Sequence, residues 1–501
     1  MEGFALDVEE GEAPLYARIA QAVVADVRRG RLRPGDALPG SRRLAQDLGV
    51  HRNTILAALR ELELEGWIET AAARATRIRR DLPDPKPRRF AAQAAARSSA
   101  TIGFELGPGM EDWSSPPPPK GAILMLGGMP DLRLVPASAL GRAYRRIVTA
   151  PRSAELFGYG DPRGEPALRN ALAETLSRTR GLAVGSDDLV VTRGSQMALY
   201  LAARAVVRPG DRVAVEALGY RPAWLALRHA GAELVPVAVD GGGIDVDALE
   251  AAVERCAAEG RKLRAVYLTP HHQYPTTALL APGRRIALLE LARRHKLALF
   301  EDDYDHEFHY EGRPVTPLAS ADRTGQVVYI GTLSKILAPA LRIGFVVAPA
   351  PLLERIASLR VVVDRQGDRL LERALAELAA DGEIARHARK MRSVYAARRG
   401  ALAAALEAHL GEHVSFELPR GGIALWLRAP AVDVEAWAAA CLERGVVFQT
   451  GRRFTFDGSR LRAIRLGFAA ETEARLTAGV RKMADALTCI QKERALHRAQ
   501  R

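Results

Sequence analysis

Cysteine is nearly missing from this 501-residue chain: Cys256, Cys441 and Cys489 are far apart and form no CxxC pair. That spacing points away from both a disulfide framework and a thiolate zinc site. Long apolar runs are missing too, so no stretch is expected to span a bilayer. The start, Met1-Glu2-Gly3-Phe4-Ala5-Leu6-Asp7-Val8-Glu9-Glu10, is acidic. A secretory signal needs a basic region followed by an apolar core, so none is read here, and a cytoplasmic location is the expectation. The chain also shows no internal repeat and no phosphate-cradling Walker loop.

What the chain has is length and positive charge. A chain of 501 residues is too long for one hydrophobic core and predicts about three units. With 48% hydrophobic and 26% charged residues it reads as globular. The net charge of +13 permits nucleic-acid binding without requiring it. Its distribution says more: residues 28–60 hold eight Arg and two Asp, an excess of six positive charges in a short helical region. A phosphate-facing surface has that composition, and so does a small helical domain with a solvated basic face.

In that region Leu15, Ile19, Val23 and Val27 recur at i+4 and predict one apolar helical stripe. Arg33-Pro34-Gly35-Asp36 forces a turn. Ser41 is placed as the N-cap of a short helix through Leu48, Gly49 ends it, and a second helix is predicted from about Arg52 to Glu65. Its buried face carries Ile55, Leu59 and Leu62. Helix, tight turn, helix is the helix-turn-helix spacing. In such a unit Arg52, Asn53 and Thr54 open the recognition helix and reach base edges and phosphates, while Arg42 and Arg43 clamp phosphates and Ser41 joins them in the DNA-binding set.

Residues 81–120 differ in kind. Pro83, Pro85, Pro87 and Pro116-Pro117-Pro118-Pro119 run through polar and small residues, which predicts a partly stiff linker. From about 121 onward short β-branched runs alternate with alanine- and leucine-rich helical stretches. The runs are Leu189-Val190-Val191-Thr192, Arg212-Val213-Ala214-Val215, Ala265-Val266-Tyr267-Leu268, Leu297-Ala298-Leu299-Phe300 and Val327-Val328-Tyr329-Ile330. The alternation predicts an α/β domain with a mostly parallel sheet. Asp240-Gly241-Gly242-Gly243 reads as a turn. Ligands of such sheets sit beyond the carboxyl ends of strands, so residues after these runs are the first site candidates.

Two of those ends carry chemistry. Lys335 lies in Gly331-Thr332-Leu333-Ser334-Lys335-Ile336-Leu337-Ala338-Pro339-Ala340-Leu341-Arg342, an amine followed seven residues later by an arginine. That pair suits an anionic carbonyl cofactor such as pyridoxal 5'-phosphate (PLP); alone, such a lysine is a solvated charge. Glu301-Asp302-Asp303-Tyr304-Asp305 follows an apolar strand. One buried carboxylate there suits a pyridinium partner, and the same cluster suits an acidic loop or a magnesium site. PLP chemistry needs an amine for the aldehyde, a carboxylate for the pyridine nitrogen, and cationic or amide donors for the phosphate.

The stretch Gly30-Arg31-Leu32-Arg33-Pro34-Gly35-Asp36-Ala37-Leu38-Pro39-Gly40-Ser41-Arg42-Arg43-Leu44-Ala45, continuing through Leu48-Gly49-Val50-His51-Arg52-Asn53-Thr54 to Leu64-Glu65-Gly66-Trp67-Ile68, resembles the winged helix-turn-helix of GntR-type regulators. Two positions depart from the pattern. His51 stands where the family usually has a serine that caps the recognition helix, and Ala71-Ala72-Ala73-Arg74-Ala75-Thr76-Arg77-Ile78-Arg79-Arg80 replaces a glycine-rich wing, leaving four arginines to approach phosphates. Residues from about 121 to 490 resemble fold-type I aminotransferases, and the whole chain resembles the MocR-type subfamily of GntR regulators, which joins the two. The resemblance implies a multidomain fold: a winged helix-turn-helix over 12–80, the linker 81–120, an α/β PLP-dependent transferase domain of large and small subdomains over 121–490, and a basic C-terminal tail, 491–501.

It also implies roles. Lys335 matches the lysine that holds the aldehyde as a Schiff base, Asp302 the partner of the pyridine nitrogen, and Tyr304 the phenol near the 3-hydroxyl. Gly194-Ser195-Gln196 matches the loop that holds the phosphate through backbone amides and side chains. Arg342 matches the phosphate fork, a task for which its planar donors are suited. Thr332 joins the cofactor set, and Tyr220 matches the aromatic that stacks on the ring. Tyr159 matches a tyrosine that reaches the neighbouring subunit's phosphate, which implies a homodimer. Arg465, in Ile464-Arg465-Leu466-Gly467-Phe468, matches the arginine that grips an α-carboxylate. Thr269-Pro270-His271-His272-Gln273-Tyr274-Pro275-Thr276-Thr277 resembles the family's TPxHQxPTG loop, with Thr277 in place of the last glycine. His306 and His309 stand where Ser and Arg are frequent; their single HxxH spacing is a weak metal signal, and no metal is expected.

The leading expectation is a PLP-dependent transcriptional regulator that binds an operator in double-stranded DNA and senses a small amine, an amino acid or PLP itself. The alternatives are an active aminotransferase with a vestigial N-terminal appendage, and a DNA-binding module whose C-terminal domain only dimerises.

Overall fold

The computed structural model describes residues 6–8, 11, 13–70, 75–82, 104–107, 109 and 117–499. The chain divides into two units, Met1–Gly109 and Met110–Arg501. The boundary falls inside the expected linker, most of which, including Pro83, Pro85, Pro87 and Pro116, lies outside the described residues.

Among the described residues the first unit has three helices, α1 (Leu15–Arg28), α2 (Ser41–Asp47) and α3 (Arg52–Leu64), followed by the antiparallel strands β1 (Ile68–Glu69) and β2 (Arg77–Ile78). Ile19, Val23, Val27, Leu38, Leu44, Ile55, Ala58, Leu62, Trp67 and Ile78 pack into one core. A fully buried aliphatic side chain such as Leu62 contributes about 1.5–3 kcal/mol. Leu15 leaves the expected stripe: at the first turn of α1 it is 39% exposed, and Ala20 and Ala22 fill the buried face. Ser41 is not the N-cap of α2 either. Gly40 holds that position, so Ser41 is already helical and its hydroxyl is turned to Arg52 instead. Of the wing arginines, Arg74 lies outside the described residues, while Arg77 donates to the Gly35 carbonyl at 2.9 Å and ties the hairpin to the preceding turn.

The second unit is built on a seven-stranded sheet in the order Leu189–Thr192, Gly344–Val347, Val327–Thr332, Ala298–Asp303, Leu263–Leu268, Arg212–Glu216, Glu233–Val237. Gly344–Val347 runs antiparallel to both neighbours and the other pairings are parallel. Helices cover the sheet, with Ser195–Val206 and Arg221–His229 on one face and Pro166–Arg180 and Arg369–Ala380 on the other. A second, antiparallel sheet orders Ser415–Phe416, Ala424–Arg428, Ala463–Gly467 and Gln449–Thr450, and packs on the long helices Glu383–Leu410 and Glu473–Ala499. The two sheets correspond to the large and small subdomains expected of a fold-type I transferase. Glu473–Ala499 carries helix through most of the segment expected as a tail. Asp240 and Gly243 pair across a two-residue turn. No helix among the described residues is long and apolar enough to cross a membrane.

Candidate functional site

Strand alternation sorts the acidic run 301–305. Glu301 accepts from the Leu318 and Ala319 amides at 2.7 and 2.9 Å and caps a short helix. Asp302 points to the opposite face, shared with Tyr267 on the neighbouring strand, whose hydroxyl donates to Asp302 Oδ2 at 2.8 Å. The other oxygen, Oδ1, is buried with no hydrogen-bond partner. Burial and the nearby Asp303 charge push the Asp302 carboxyl up to about 6, against the Tyr267 hydrogen bond and the Lys335 charge. Tyr304 donates to the His272 carbonyl at 3.0 Å.

Lys335 follows the strand Val327–Thr332 in a turn braced by Thr332, whose hydroxyl lies 3.0 Å from the Ile343 carbonyl and the Ser334 hydroxyl and accepts from the Ser334 amide at 3.1 Å. Thr332 is thereby committed to the turn. Burial lowers the Lys335 amine below the usual lysine range, helped by the Arg465 and Arg342 charges against those of Asp305 and Asp302. A depressed amine is the more nucleophilic one at neutral pH.

The expected phosphate loop lies at the N-terminus of the helix Ser195–Val206. Gly194 has φ +83°, and a Cβ there would sit 2.5 Å from Arg342 Nη2, so only glycine lets the guanidinium approach. Arg342 donates to the Arg193 carbonyl at 3.0 Å. Free amides at a helix start beside a guanidinium form an anion cradle. The Gln196 side chain is not part of it: its nitrogen donates to the Pro222 carbonyl at 2.6 Å, which leaves its backbone amide. Tyr220 packs edge-on to Tyr274 with centroids 5.3 Å apart, and burial pushes its phenol up to about 12. The orphan carboxylate oxygen, the depressed amine and this cradle fit PLP.

Arg465 is fully buried on the small sheet, its guanidinium carbon 4.2 Å from the Tyr274 ring centroid. Nη1 donates to the Pro275 carbonyl at 3.2 Å, and the Tyr304 phenol lies beside the guanidinium without a well-aligned hydrogen bond to Nε or Nη2. Among the described residues the other buried arginines, Arg169, Arg180, Arg360, Arg398 and Arg399, each pair with a carboxylate. Arg465 has none, and a buried unpaired cation is costly by several kcal/mol. Tyr159 is not brought to this cluster. It is 78% exposed, with the Arg365 guanidinium 4.1 Å from its ring centroid.

Sequence reasoning missed Tyr267, which steadies Asp302, and the glycine pair at 127–128. A Cβ on Gly127 would fall 2.3 Å from Arg465 Nε, and one on Gly128 would lie 3.6 Å from Lys335 Nζ, so this loop closes over both groups. Two consecutive glycines in Leu126-Gly127-Gly128-Met129-Pro130 were the available signal. Tyr274 was missed as a wall of the Arg465 pocket. Thr277 keeps φ +64°, the conformation the absent glycine would favour.

In the first unit Arg42, Arg43, Arg52 and Asn53 are exposed and Thr54 half-buried at the starts of α2 and α3. Arg52 Nε donates to Ser41 Oγ at 3.3 Å, joining the two helix starts, and Arg43 pairs loosely with Asp47 at 3.6 Å. His51 replaces the expected serine in kind: its Nδ1 accepts from the Asn53 amide at 3.2 Å and caps α3. The arrangement is one basic, outward-facing ridge suited to phosphates.

Residues 134–483 match the family model described as aminotransferase class I and II, and residues 15–78 that of bacterial regulatory proteins, gntR family. The chain is 30% identical to the probable rhizopine catabolism regulatory protein MocR of Rhizobium meliloti, over 97% of this chain and 96% of that one. It is 32% identical to the HTH-type transcriptional regulator TauR of Rhodobacter capsulatus, over 95% and 97%. The solved multiple substrate aminotransferase of Thermococcus profundus superposes with a TM-score of 0.70 at 28% identity, covering 75% of this chain and 93% of that one.

Proposed function

Because this chain belongs to the MocR-type subfamily of GntR regulators, DNA-binding transcription factors with a PLP-dependent aminotransferase-like domain, we propose that it senses an α-amino acid held between Arg465 and Lys335. The observation that carries this reading is the unpartnered pair of buried donors on Arg465. A ligand carboxylate would supply the missing anion and accept both donors at once. PLP, when bound, supplies a carbonyl that bonds primary amines and a ring that withdraws electrons.

The chain's own groups divide the remaining work. Asp302, through its unpartnered Oδ1, would pair with the pyridine nitrogen and keep it protonated, with Tyr267 fixing the carboxylate's angle. The Ser195 and Gln196 amides and the Arg342 guanidinium would take the phosphate, with Gly194 making room for that guanidinium; Tyr220 would flank the ring, Tyr304 would serve the 3-hydroxyl, and Lys335 would hold the aldehyde. Arg465 stands on the small sheet and Lys335 on the large one, so one ligand touching both ties the subdomains together. Its binding shifts DNA affinity only as far as it favours one arrangement of the chain over another. Arg42, Arg43, Arg52, Asn53 and Thr54 meet the operator. The working form is a homodimer in which exposed Tyr159 serves the neighbouring subunit.

The test is fluorescence anisotropy of the full-length protein on DNA from upstream of its own gene, with PLP and individual L-amino acids. At least one amino acid is expected to change the dissociation constant more than fivefold, and Arg465→Ala to abolish that change while leaving ligand-free DNA binding intact. No DNA binding under any condition sinks the proposal. An active aminotransferase is the second reading, favoured by the likeness to a solved aminotransferase. It predicts steady multiple turnover with an amino donor and a 2-oxo acid.

A further inference from the structure

The face of the central sheet turned away from Asp302 holds a second polar cluster that the PLP reading does not use. His271 stands in the loop after Leu263–Leu268, Asp303 ends the strand Ala298–Asp303, and His306 follows three residues later; all three are nearly inaccessible. Three of their polar atoms, His271 Nδ1, Asp303 Oδ1 and His306 Nε2, are buried with no hydrogen-bond partner. Each such atom costs about 1–3 kcal/mol when nothing satisfies it, and so many in one place call for a ligand. His306 Nδ1 is paired with Asp303 Oδ2 at 2.9 Å, which leaves Nε2 of that ring as its orphan. The two imidazole rings are 4.4 Å apart between centroids.

We propose that His271, Asp303 and His306 bind a divalent transition-metal ion of the zinc or cobalt class. One ligand-type atom from each lies within 4.8 Å of the other two. Tetrahedral zinc with bonds of about 2.0–2.2 Å spaces its ligands roughly 3.3–3.5 Å apart, so the side chains need to close by about an ångström. Two imidazoles and one carboxylate are a donor set that such ions accept, with a position left for water. Tyr329 donates to Asp303 Oδ2 at 2.7 Å, the kind of outer hydrogen bond that orients a ligating carboxylate. Arg180 is the obvious objection, with Nε 3.7 Å from Asp303 Oδ2. Its guanidinium is shared with the closer Glu307 carboxylate, so Asp303 does not answer that charge alone. His309, the other histidine of the HxxH spacing, is not involved: its Nε2 lies 3.1 Å from the Gly312 carbonyl. Asp303 is the backbone neighbour of Asp302, so an ion here would anchor the strand end that presents the cofactor carboxylate.

Tag-free full-length protein is stripped with a chelator, loaded with cobalt(II), desalted, and assayed by elemental analysis and visible ligand-field absorbance. One equivalent per chain is expected in the wild type, in His309→Asn and in Lys335→Ala, the last because it removes cofactor chelation. His271→Asn and His306→Ser, each checked for an unchanged melting curve, are expected to lose it. No retained cobalt in the wild type, or equal retention in either cluster variant, overturns the site and identifies the orphan atoms as water-satisfied. This outcome is independent of the Arg465 experiment.

Discussion

Arg42, Arg43 and Arg52 in the first unit stand exposed at helix starts, while Arg180, Arg360 and Arg465 in the second are nearly inaccessible. An exposed guanidinium is already solvated, meets a polyanion without fixed geometry, and contributes in small, salt-sensitive steps. A buried one must have its charge answered, so its partner is specific and its removal is severe. Arg180 and Arg360 are answered by Glu307 and Asp364 within the chain. Arg465 is the buried arginine without a carboxylate partner among the described residues, and that contrast is what supports the sensing pocket proposed above.

The comparison breaks hardest at Lys335. Lys335→Ala is expected to abolish the visible absorbance of bound cofactor entirely, while DNA affinity without effector stays within about twofold, because the basic ridge does not depend on the buried set. Arg465→Ala should leave that absorbance in place and weaken binding of a carboxylate effector about 100-fold. Two charge-assisted hydrogen bonds are worth roughly 3 kcal/mol together. Isothermal titration with effector measures it, and an unchanged affinity would refute the role given to Arg465.

Glu216 shows the other solution to buried charge. It accepts from the Thr269 amide and hydroxyl at 3.2 and 2.9 Å, but burial, with the Asp302 charge adding, pushes it up to about 8. The folded protein therefore keeps a proton that the unfolded chain releases near its ordinary value. The resulting stability is fully present below about 4.5 and is lost as pH rises through about 8. Glu216→Gln should flatten that decline and stabilise the protein by a few kcal/mol above pH 8, read from denaturant midpoints at several pH values.

What was legible before the structure follows the same division. The strand ends bearing Asp302 and Lys335 could be found because motif and strand are contiguous. Two strands of the large sheet were not: Glu233–Val237 contains Pro236 and lies at the sheet edge, where proline is tolerated, and Gly344–Val347 is short and opens on glycine. Tyr267, Tyr274 and the 127–128 glycines gain their places through tertiary contacts between distant segments, which no local pattern reports. Ser41 was misassigned as a cap because composition favours serine there, whereas the backbone begins the helix one residue earlier. The His271, Asp303 and His306 cluster was hidden for a related reason: spacing pointed to His309, and alternation along one strand pointed to the other face.

On the exposed side effects are smaller. Arg52→Ala should weaken operator binding about tenfold and reduce the magnitude of the salt slope by about 0.9, the value of one phosphate contact, with cofactor absorbance unchanged. Anisotropy across a salt series separates this from misfolding, which would reduce both signals.

The smallest effect belongs to His51. As the N-cap of α3 it satisfies the Asn53 amide through Nδ1, the task a serine hydroxyl performs by the same geometry. His51→Ser should therefore change DNA affinity by less than about twofold. His51→Ala leaves that amide without its acceptor, costs about 1 kcal/mol of helix stability, and loosens the turn that orients Arg52 against Ser41. Its DNA binding should fall severalfold, still less than in Arg52→Ala. If serine proves as damaging as alanine, the imidazole is touching the nucleic acid rather than capping the helix, and the boundary between scaffold and contact in this unit shifts by one residue.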